Sequence, residues 1–189
     1  QMCIRDRAWH IFRQMLEALA HIASLGIIHR DLKPSNVLMD AHGDIKIGDF
    51  GLATTNFHTM EPGQRESILQ GDSKELTSGL GTFLYIAPEV LAKRSIGARY
   101  NQKVDMFSLG IIFFEMLASQ RCYKTTMERY QLLGDLRRPS IQFPLSWDKT
   151  RFSAQTDIIR MLLDHDPAQR PTPMAMLRSP LLPPKMENE

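Results

Sequence analysis

The chain of 189 residues contains few cysteines, no large excess of charge of either sign and no long apolar run. Its two cysteines, Cys3 and Cys122, are too few for a disulfide framework or a four-cysteine zinc site, so we expect a reducing compartment, the cytoplasm. The 23 basic and 21 acidic residues nearly balance, which predicts neither direct nucleic-acid binding nor attachment to an anionic membrane. The most apolar run, 109–118, contains Glu115 and is too short to span a bilayer.

Apolar residues are abundant enough, at 43% of the chain, to build one packed domain or one lobe of a larger domain. Two short apolar runs, 37–39 and 45–47, flank a turn-forming sequence and predict a small β-hairpin. Gly26 is placed to end the first helix, and the polar stretch 54–80 is predicted to be a long loop. Apolar spacing of three and four residues predicts helices over 8–25, 102–118, 126–137, 154–163 and 173–177. The fold class is therefore mainly α with one small β-hairpin.

Four polar side chains flank the predicted hairpin. Asp31, Lys33 and Asn36 lie on the loop before it, and Asp49 follows it, so we expect all four to face one site. Asp31 can accept a proton from a hydroxyl group, and Lys33 can neutralise charge on a phosphoryl group. Asn36 and Asp49 offer hard oxygen ligands of the kind that Mg²⁺ takes, whereas soft ligands for zinc are missing.

Three motifs in this order resemble the carboxyl-terminal lobe of the eukaryotic protein kinases: His-Arg-Asp-Leu-Lys-Pro-Ser-Asn at 29–36, Asp-Phe-Gly at 49–51 and Ala-Pro-Glu at 87–89. The resemblance covers nearly all of 8–182, with a catalytic loop at 27–36 and an activation segment at 49–89. It implies a protein-kinase-like fold of which only the large lobe is encoded here, and ATP and Mg²⁺ as cofactors.

The resemblance also implies roles for individual residues. Asp31 is similar to the catalytic base, and Lys33 to the lysine of serine/threonine kinases that contacts the transferred phosphate. Asn36 and Asp49 resemble the magnesium ligands. Leu38, between Val37 and Met39, resembles part of the apolar floor beneath adenine.

Further residues resemble the regulatory and structural parts of a kinase. Arg30 is similar to the arginine that pairs with a phosphorylated activation loop. His29 and Phe50 resemble two links of the regulatory spine, and Asp105 the aspartate that braces the catalytic loop. The resemblance implies a buried ion pair between Glu89 and Arg170.

Longer stretches resemble the kinases that phosphorylate the α subunit of translation initiation factor 2, and among them the amino-acid-starvation, or general-control-nonderepressible, type. Their matches to Thr77 and Thr82 are phosphorylated, although Thr77 could also be an ordinary solvated loop residue. The resemblance implies this protein substrate, docked on the helix at 126–137, and makes dimerisation of the intact protein possible. The stretches that carry it are 48–54, 81–85, 100–105, 107–116 and 165–172.

The chain contains no Gly-x-Gly-x-x-Gly motif, and its first lysine is Lys33. A glycine loop over the phosphates and a strand lysine are therefore not encoded here, and we expect the 189-residue chain alone to be inactive. Residues 1–7 resemble a translated sequencing adapter, and 183–189 resemble a linker. Two alternatives are a different serine/threonine kinase and a pseudokinase scaffold; the presence of all three of Asp31, Asn36 and Asp49 argues against the second.

Overall fold

The computed structural model describes residues 4–55, 81, 83–91, 101–118 and 122–185. These residues are mostly helical and contain one small antiparallel hairpin, as the sequence predicts. The helices are α1 (Ile4–Ser24), α2 (Pro88–Leu91), α3 (Lys103–Ala118), α4 (Thr126–Leu136), α5 (Ser153–Leu162) and α6 (Pro173–Leu177). The strands are β1 (Ile27–Ile28), β2 (Val37–Met39), β3 (Ile45–Ile47) and β4 (Thr54–Thr55).

Helix α1 buries one apolar face against α3 and α6. Phe12 is fully buried and stacks on Phe113 of α3, with 4.0 Å between the ring centroids. Gly26, at φ 73°, follows the last turn and ends the helix as predicted. The helix begins four residues before the predicted start, so 4–7 share its conformation, and the adapter origin of 1–7 stays a prediction.

Helix α3 is the centre of the core, as its sequence predicts. All of its residues except Lys103 and Met116 are buried, because apolar side chains cover nearly every face. Helix α5 approaches so closely that a Cβ at Gly110 would lie 2.8 Å from the Leu163 side chain. The site described below is therefore built on a closely packed helix.

The β2–β3 hairpin has the predicted strands, and Val37 pairs with Ile47. Its turn is closed by Asp40, whose Oδ1 accepts hydrogen bonds from the backbone N–H groups of His42 and Asp44. Gly43 has a φ of 87°, a conformation that glycine adopts without strain. The hairpin thus returns the chain to the point where the catalytic loop ends.

A second antiparallel pair corrects two loop predictions. Ile28 pairs with Thr54, and Ile27 with Thr55, although both segments were predicted to be loops. Strands of two residues have no measurable alternation, and their pairing depends on contacts between distant parts of the chain. The remainder of the predicted loop, 56–80, lies outside the described residues.

The carboxyl-terminal helices differ from the predicted ranges by at most one residue at each end. Helix α4 begins with a capping box, in which Thr125 accepts from the Glu128 N–H and the Glu128 side chain accepts from the Thr125 N–H. It ends one residue earlier than predicted, with Arg137 as its C-cap. Among the residues that the structure describes, no helix is long and apolar enough to cross a lipid bilayer.

Candidate active site

The loop that carries the predicted catalytic residues is fixed to the core helix by Asp105. Its Oδ2 accepts from the His29 N–H at 2.9 Å, and its Oδ1 from the Arg30 N–H at 2.9 Å. Burial raises the pKa of the Asp105 carboxyl, while the two backbone N–H groups act in the opposite direction. The loop thus depends on a buried carboxyl that is hydrogen-bonded through both oxygens.

Two residues of the site have left-handed backbone conformations, which side chains other than glycine seldom adopt. Arg30 has a φ of 68°, and Asp49 a φ of 55°. Arg30 is held there by Asp105 and by a hydrogen bond of 2.6 Å from its Nε to the Leu52 carbonyl oxygen. Such strain concentrates at functional sites, where surrounding contacts maintain it.

Asp31, Lys33 and Asn36 form one cluster. The Lys33 Nζ lies 3.1 Å from Oδ2 of Asp31, and the exposed fractions of the two side chains are 23% and 10%. The Asn36 amide nitrogen donates to the Asp31 carbonyl oxygen at 2.8 Å and to its Oδ2 at 3.1 Å. Because both partners are acceptors, the amide nitrogen faces Asp31 and the amide oxygen points away from it.

The hairpin joins this cluster to the Asp-Phe-Gly motif. The Gly48 N–H donates to the Asn36 carbonyl oxygen at 2.8 Å. Asn36 and Asp49 therefore lie at the open end of the hairpin. A hydrogen bond of 2.8 Å joins the His29 Nε2 to the Gly48 carbonyl oxygen. The His29 ring also meets the edge of Phe50, with 4.8 Å between centroids.

The oxygen groups present fit a magnesium ion. Asp49 is exposed, and its Oδ1 accepts from the Gly51 N–H at 3.2 Å. Within the described parts of the chain, no cluster of three or more His, Cys, Asp or Glu side chains could hold a metal by itself. A site on Asn36 and Asp49 would therefore take its other ligands from phosphate oxygens and water, as magnesium sites commonly do.

Comparison with known proteins identifies the family of this chain. Residues 2–182 match the family model of the protein kinase domain. The chain belongs to the protein kinase domain family. The resemblance noted from the motifs is therefore confirmed at the level of the family.

Individual relatives are similar over almost the whole of this chain, which spans only about a tenth of their own length. It is 46% identical over 184 residues to the eIF-2-alpha kinase GCN2 of Schizosaccharomyces pombe, covering 97% of this chain and 11% of that protein. It is 46% identical over 189 residues to human eIF-2-alpha kinase GCN2, with the same two coverages. The Arabidopsis thaliana protein of that name is 39% identical over 189 residues, covering 98% of this chain and 14% of the relative.

The structure contains the buried ion pair that the resemblance implies. The Arg170 side chain is fully buried and donates to both carboxylate oxygens of Glu89, at 2.7 and 2.8 Å. Arg170 also donates to the carbonyl oxygens of Asp164 (2.6 Å) and Lys103 (3.1 Å), and it lies over the Phe107 ring. The end of the predicted activation segment is thereby attached to the core.

The predicted adenine floor is an exposed apolar surface in the described structure. Leu38 and Met39 are 57% and 53% exposed, whereas Val37 is partly buried. Phe50 is 44% exposed. These side chains present apolar area beside Asn36, where a nucleotide base could be covered.

The two predicted phosphorylation sites, Thr77 and Thr82, lie outside the described residues. The pairing of a phosphorylated loop with Arg30 therefore stays a prediction. In the structure, the Arg30 guanidinium contacts the Leu52 carbonyl oxygen.

Sequence reasoning missed a group of side chains around Glu115. This glutamate is buried on α3, and it bonds to Tyr85 and Arg129. The one available signal is a lone carboxylate in an otherwise apolar run, because a buried charge needs a partner. The identity of that partner is not encoded locally.

Proposed function

We propose that residues 8–182 are the large lobe of a serine/threonine protein kinase that transfers the γ-phosphate of ATP to a protein hydroxyl. The catalytic loop would be 27–36 and the activation segment 49–89, with 1–7 and 183–189 outside the lobe. The observation that carries the proposal is the contact of Asp31 with both Lys33 (3.1 Å) and Asn36 (2.8 and 3.1 Å) within one braced loop. The family match supports it.

In this proposal, Asp31 orients the attacking hydroxyl and accepts its proton. Both Lys33 and Asn36 contact Oδ2 of Asp31, so the carboxylate is oriented through that oxygen, and Oδ1 is the one that would receive the proton. Lys33 adds a positive charge beside the phosphoryl group as negative charge develops on it. The protein mainly positions the reacting groups and neutralises negative charge on the phosphates, as phosphoryl transfer requires.

Asn36 and Asp49 would hold Mg²⁺ through the Asn36 amide oxygen and the Asp49 carboxylate. The direction of the Asn36 amide, with its nitrogen committed to Asp31, supports this assignment. When bound, the ion neutralises charge on the phosphates. Leu38, with Val37 and Met39, would cover one face of the adenine.

For the substrate we propose the α subunit of translation initiation factor 2, in the cytoplasm and in amino-acid-starvation signalling. The similarity to eIF-2-alpha kinases and the motifs from 48 to 172 support this choice. We also propose that the intact protein can dimerise.

The substrate proposal predicts that the complete kinase carrying this lobe phosphorylates the purified initiation-factor subunit on serine or threonine. Mass spectrometry of the product would identify the modified residue. Casein serves as a generic acceptor in a parallel reaction. Phosphorylation of casein without the factor would contradict the substrate and favour a different serine/threonine kinase.

The 189-residue chain by itself is expected to show negligible kinase activity. It encodes no glycine loop and no lysine before Lys33, and loss of a single preorganised charge-stabilising contact commonly costs about 10²–10³ in rate. The measurement is transfer of radiolabelled phosphate from ATP, with the complete kinase as positive control. Turnover of about 1–100 s⁻¹ by the chain alone would contradict the expectation.

A further inference from the structure

The segment 84–86 is a buried turn just before α2, near the end of the predicted activation segment. Leu84, Tyr85 and Ile86 are 7%, 4% and 7% exposed. Backbone carbonyl groups buried in this way need hydrogen-bond partners. Because the turn belongs to no strand or long helix, its three carbonyl oxygens take their partners from side chains of other elements.

Two helices supply these side chains. Arg137, the C-cap of α4, donates from Nη1 to the carbonyl oxygens of Leu84 (2.9 Å) and Ile86 (2.5 Å). The Ser108 hydroxyl of α3 donates to the carbonyl oxygen of Tyr85, which lies between them, at 2.7 Å. Three consecutive carbonyl groups are thus held alternately from α4 and from α3, and both helices fix the backbone of the turn.

The same helix α3 also holds the catalytic loop. Asp105, three residues before Ser108, accepts hydrogen bonds of 2.9 Å from the N–H groups of His29 and Arg30. Residues three apart lie on one face of a helix. The turn 84–86 and the catalytic loop are therefore attached to successive turns on one face of α3, and a displacement of the turn changes the surface next to the catalytic loop.

The Arg137 guanidinium also contacts aromatic faces. It lies over the rings of Phe83 and Phe107, 5.3 Å from each centroid, and Arg170 lies over Phe107 at 5.0 Å. Burial lowers the pKa of Arg137 to about 10, while the negative charge of Glu89 acts in the opposite direction. The guanidinium therefore stays charged at neutral pH, and charged donors form the stronger hydrogen bonds to carbonyl oxygens.

The backbone of Arg137 is fixed as well. Its N–H donates to the Gly134 carbonyl oxygen at 3.2 Å, at the end of α4. Its carbonyl oxygen accepts a hydrogen bond of 2.5 Å from Nε2 of His165, which lies between α5 and α6. The guanidinium thus extends from a residue whose own backbone is held on both sides, so it can fix the turn instead of following it.

We propose that Arg137 is a positioning residue for phosphoryl transfer to a protein: it holds the turn 84–86 beside the catalytic loop, so that the acceptor hydroxyl is aligned with Asp31. The inference rests on the proposed function, which supplies the acceptor. The Nη1 of arginine carries two hydrogens in fixed directions, which suits the carbonyl oxygens of Leu84 and Ile86. Methionine offers no donor, and the lysine ammonium has no planar face for the two rings.

The test compares two reactions of the complete kinase carrying Arg137→Met. One is transfer of phosphate from ATP to the purified initiation-factor subunit, and the other is hydrolysis of ATP by water with no protein acceptor. We expect kcat for transfer to fall by about 10–100-fold, because small misplacement of a reactant has effects of that order. The rate of hydrolysis and the KM for ATP should stay unchanged, since water needs no such alignment and Asp105 still holds the catalytic loop.

Two further variants grade the effect, and a third is the matched control. Arg137→Lys keeps the charge and should give a smaller loss of transfer. Ser108→Ala removes the hydroxyl that holds the Tyr85 carbonyl, so it should produce the same selective loss by a smaller factor. Arg138→Met should leave both reactions unaffected, because Arg138 is exposed and pairs with Asp135 at 2.9 Å.

Three results would overturn the proposal. Equal losses of transfer and hydrolysis in Arg137→Met would mean that Arg137 only supports the structure. Unchanged transfer in that variant would mean that the turn is held without the arginine. If Arg137→Met does not fold, Arg137→Lys and Ser108→Ala decide the matter, and the absence of a selective loss from both would contradict the proposal.

Hydrogen exchange separates failure of this inference from failure of the proposed function. The amides of Leu84 and Ile86 donate within the turn, to Gly81 and Phe83, at 3.3 Å each. Without substrate, both should exchange faster in Arg137→Met than in Arg138→Met, and equal exchange overturns the role of Arg137. A kinase that phosphorylates casein and not the factor overturns the substrate assignment, and the same comparison is then made on casein. A kinase that phosphorylates neither acceptor overturns the proposed function and, with it, this role.

Discussion

Replacing Asp31 with asparagine in the complete kinase should lower kcat by about 10²–10⁴, the usual contribution of a positioned acid or base. Asparagine has nearly the same shape, so it keeps the place beside Lys33 and Asn36. It cannot accept the hydroxyl proton, and it offers Lys33 no negative charge. Steady-state kinetics on the protein substrate and ATP binding would be measured together, and ATP binding should persist.

The control for this substitution is Asp44→Asn. Asp44 is exposed in the hairpin turn, and its backbone rather than its carboxylate closes that turn. The control should keep full activity and an unchanged melting temperature. If Asp31→Asn retained the activity of the control, the assignment of Asp31 as the proton acceptor would be wrong.

The parts of the fold that depend on local pattern could be predicted from the sequence. Helix α3 has apolar residues on all faces, and the β2–β3 hairpin has two apolar runs around a turn rich in aspartate and glycine, so each signal is contained in one stretch. The pairing of β1 with β4 could not be predicted, because two residues on each side give no period. This pair of strands forms because the fold brings two distant parts of the chain into contact.

The same distinction applies to the site. Asp31, Lys33 and Asn36 are neighbours in sequence, and their side-chain types alone indicate phosphate and magnesium chemistry. The left-handed backbone of Arg30 depends on Asp105, a residue 75 positions away along the chain. No local signal encodes such a contact, and its expectation came from the resemblance to the kinases, in which an aspartate at this place braces the catalytic loop.

The partner of Glu115 shows the same limit. A carboxylate inside an apolar run indicates that some donor must be close, since a buried charge without one is costly. The sequence contains several arginines, and the fold brings Arg129 to within 2.6 Å of Glu115. Sequence reasoning thus predicts the need for a partner and leaves its identity to tertiary structure.

Arg170→Met should lower the free energy of unfolding by about 3–5 kcal/mol, because it removes one partner of a buried ion pair. The arginine is fully buried, and its loss leaves the Glu89 carboxylate and the carbonyl oxygens of Asp164 and Lys103 without this donor. For a chain of this size, the melting temperature should fall by roughly 10 °C. Thermal and urea denaturation of the 189-residue chain would measure both quantities.

Arg138→Met is the comparison that isolates burial, since Arg138 forms an exposed ion pair with Asp135 at 2.9 Å. It should change the free energy of unfolding by less than about 1 kcal/mol.

Adding Glu89→Leu to Arg170→Met should restore part of the loss, because the double variant no longer holds a carboxylate without its arginine. If the two arginine variants were equally stable, the Glu89–Arg170 pair would not attach the activation segment to the core. If the double variant were no more stable than Arg170→Met, the loss would instead come from the unpaired carbonyl oxygens and the lost contact with Phe107.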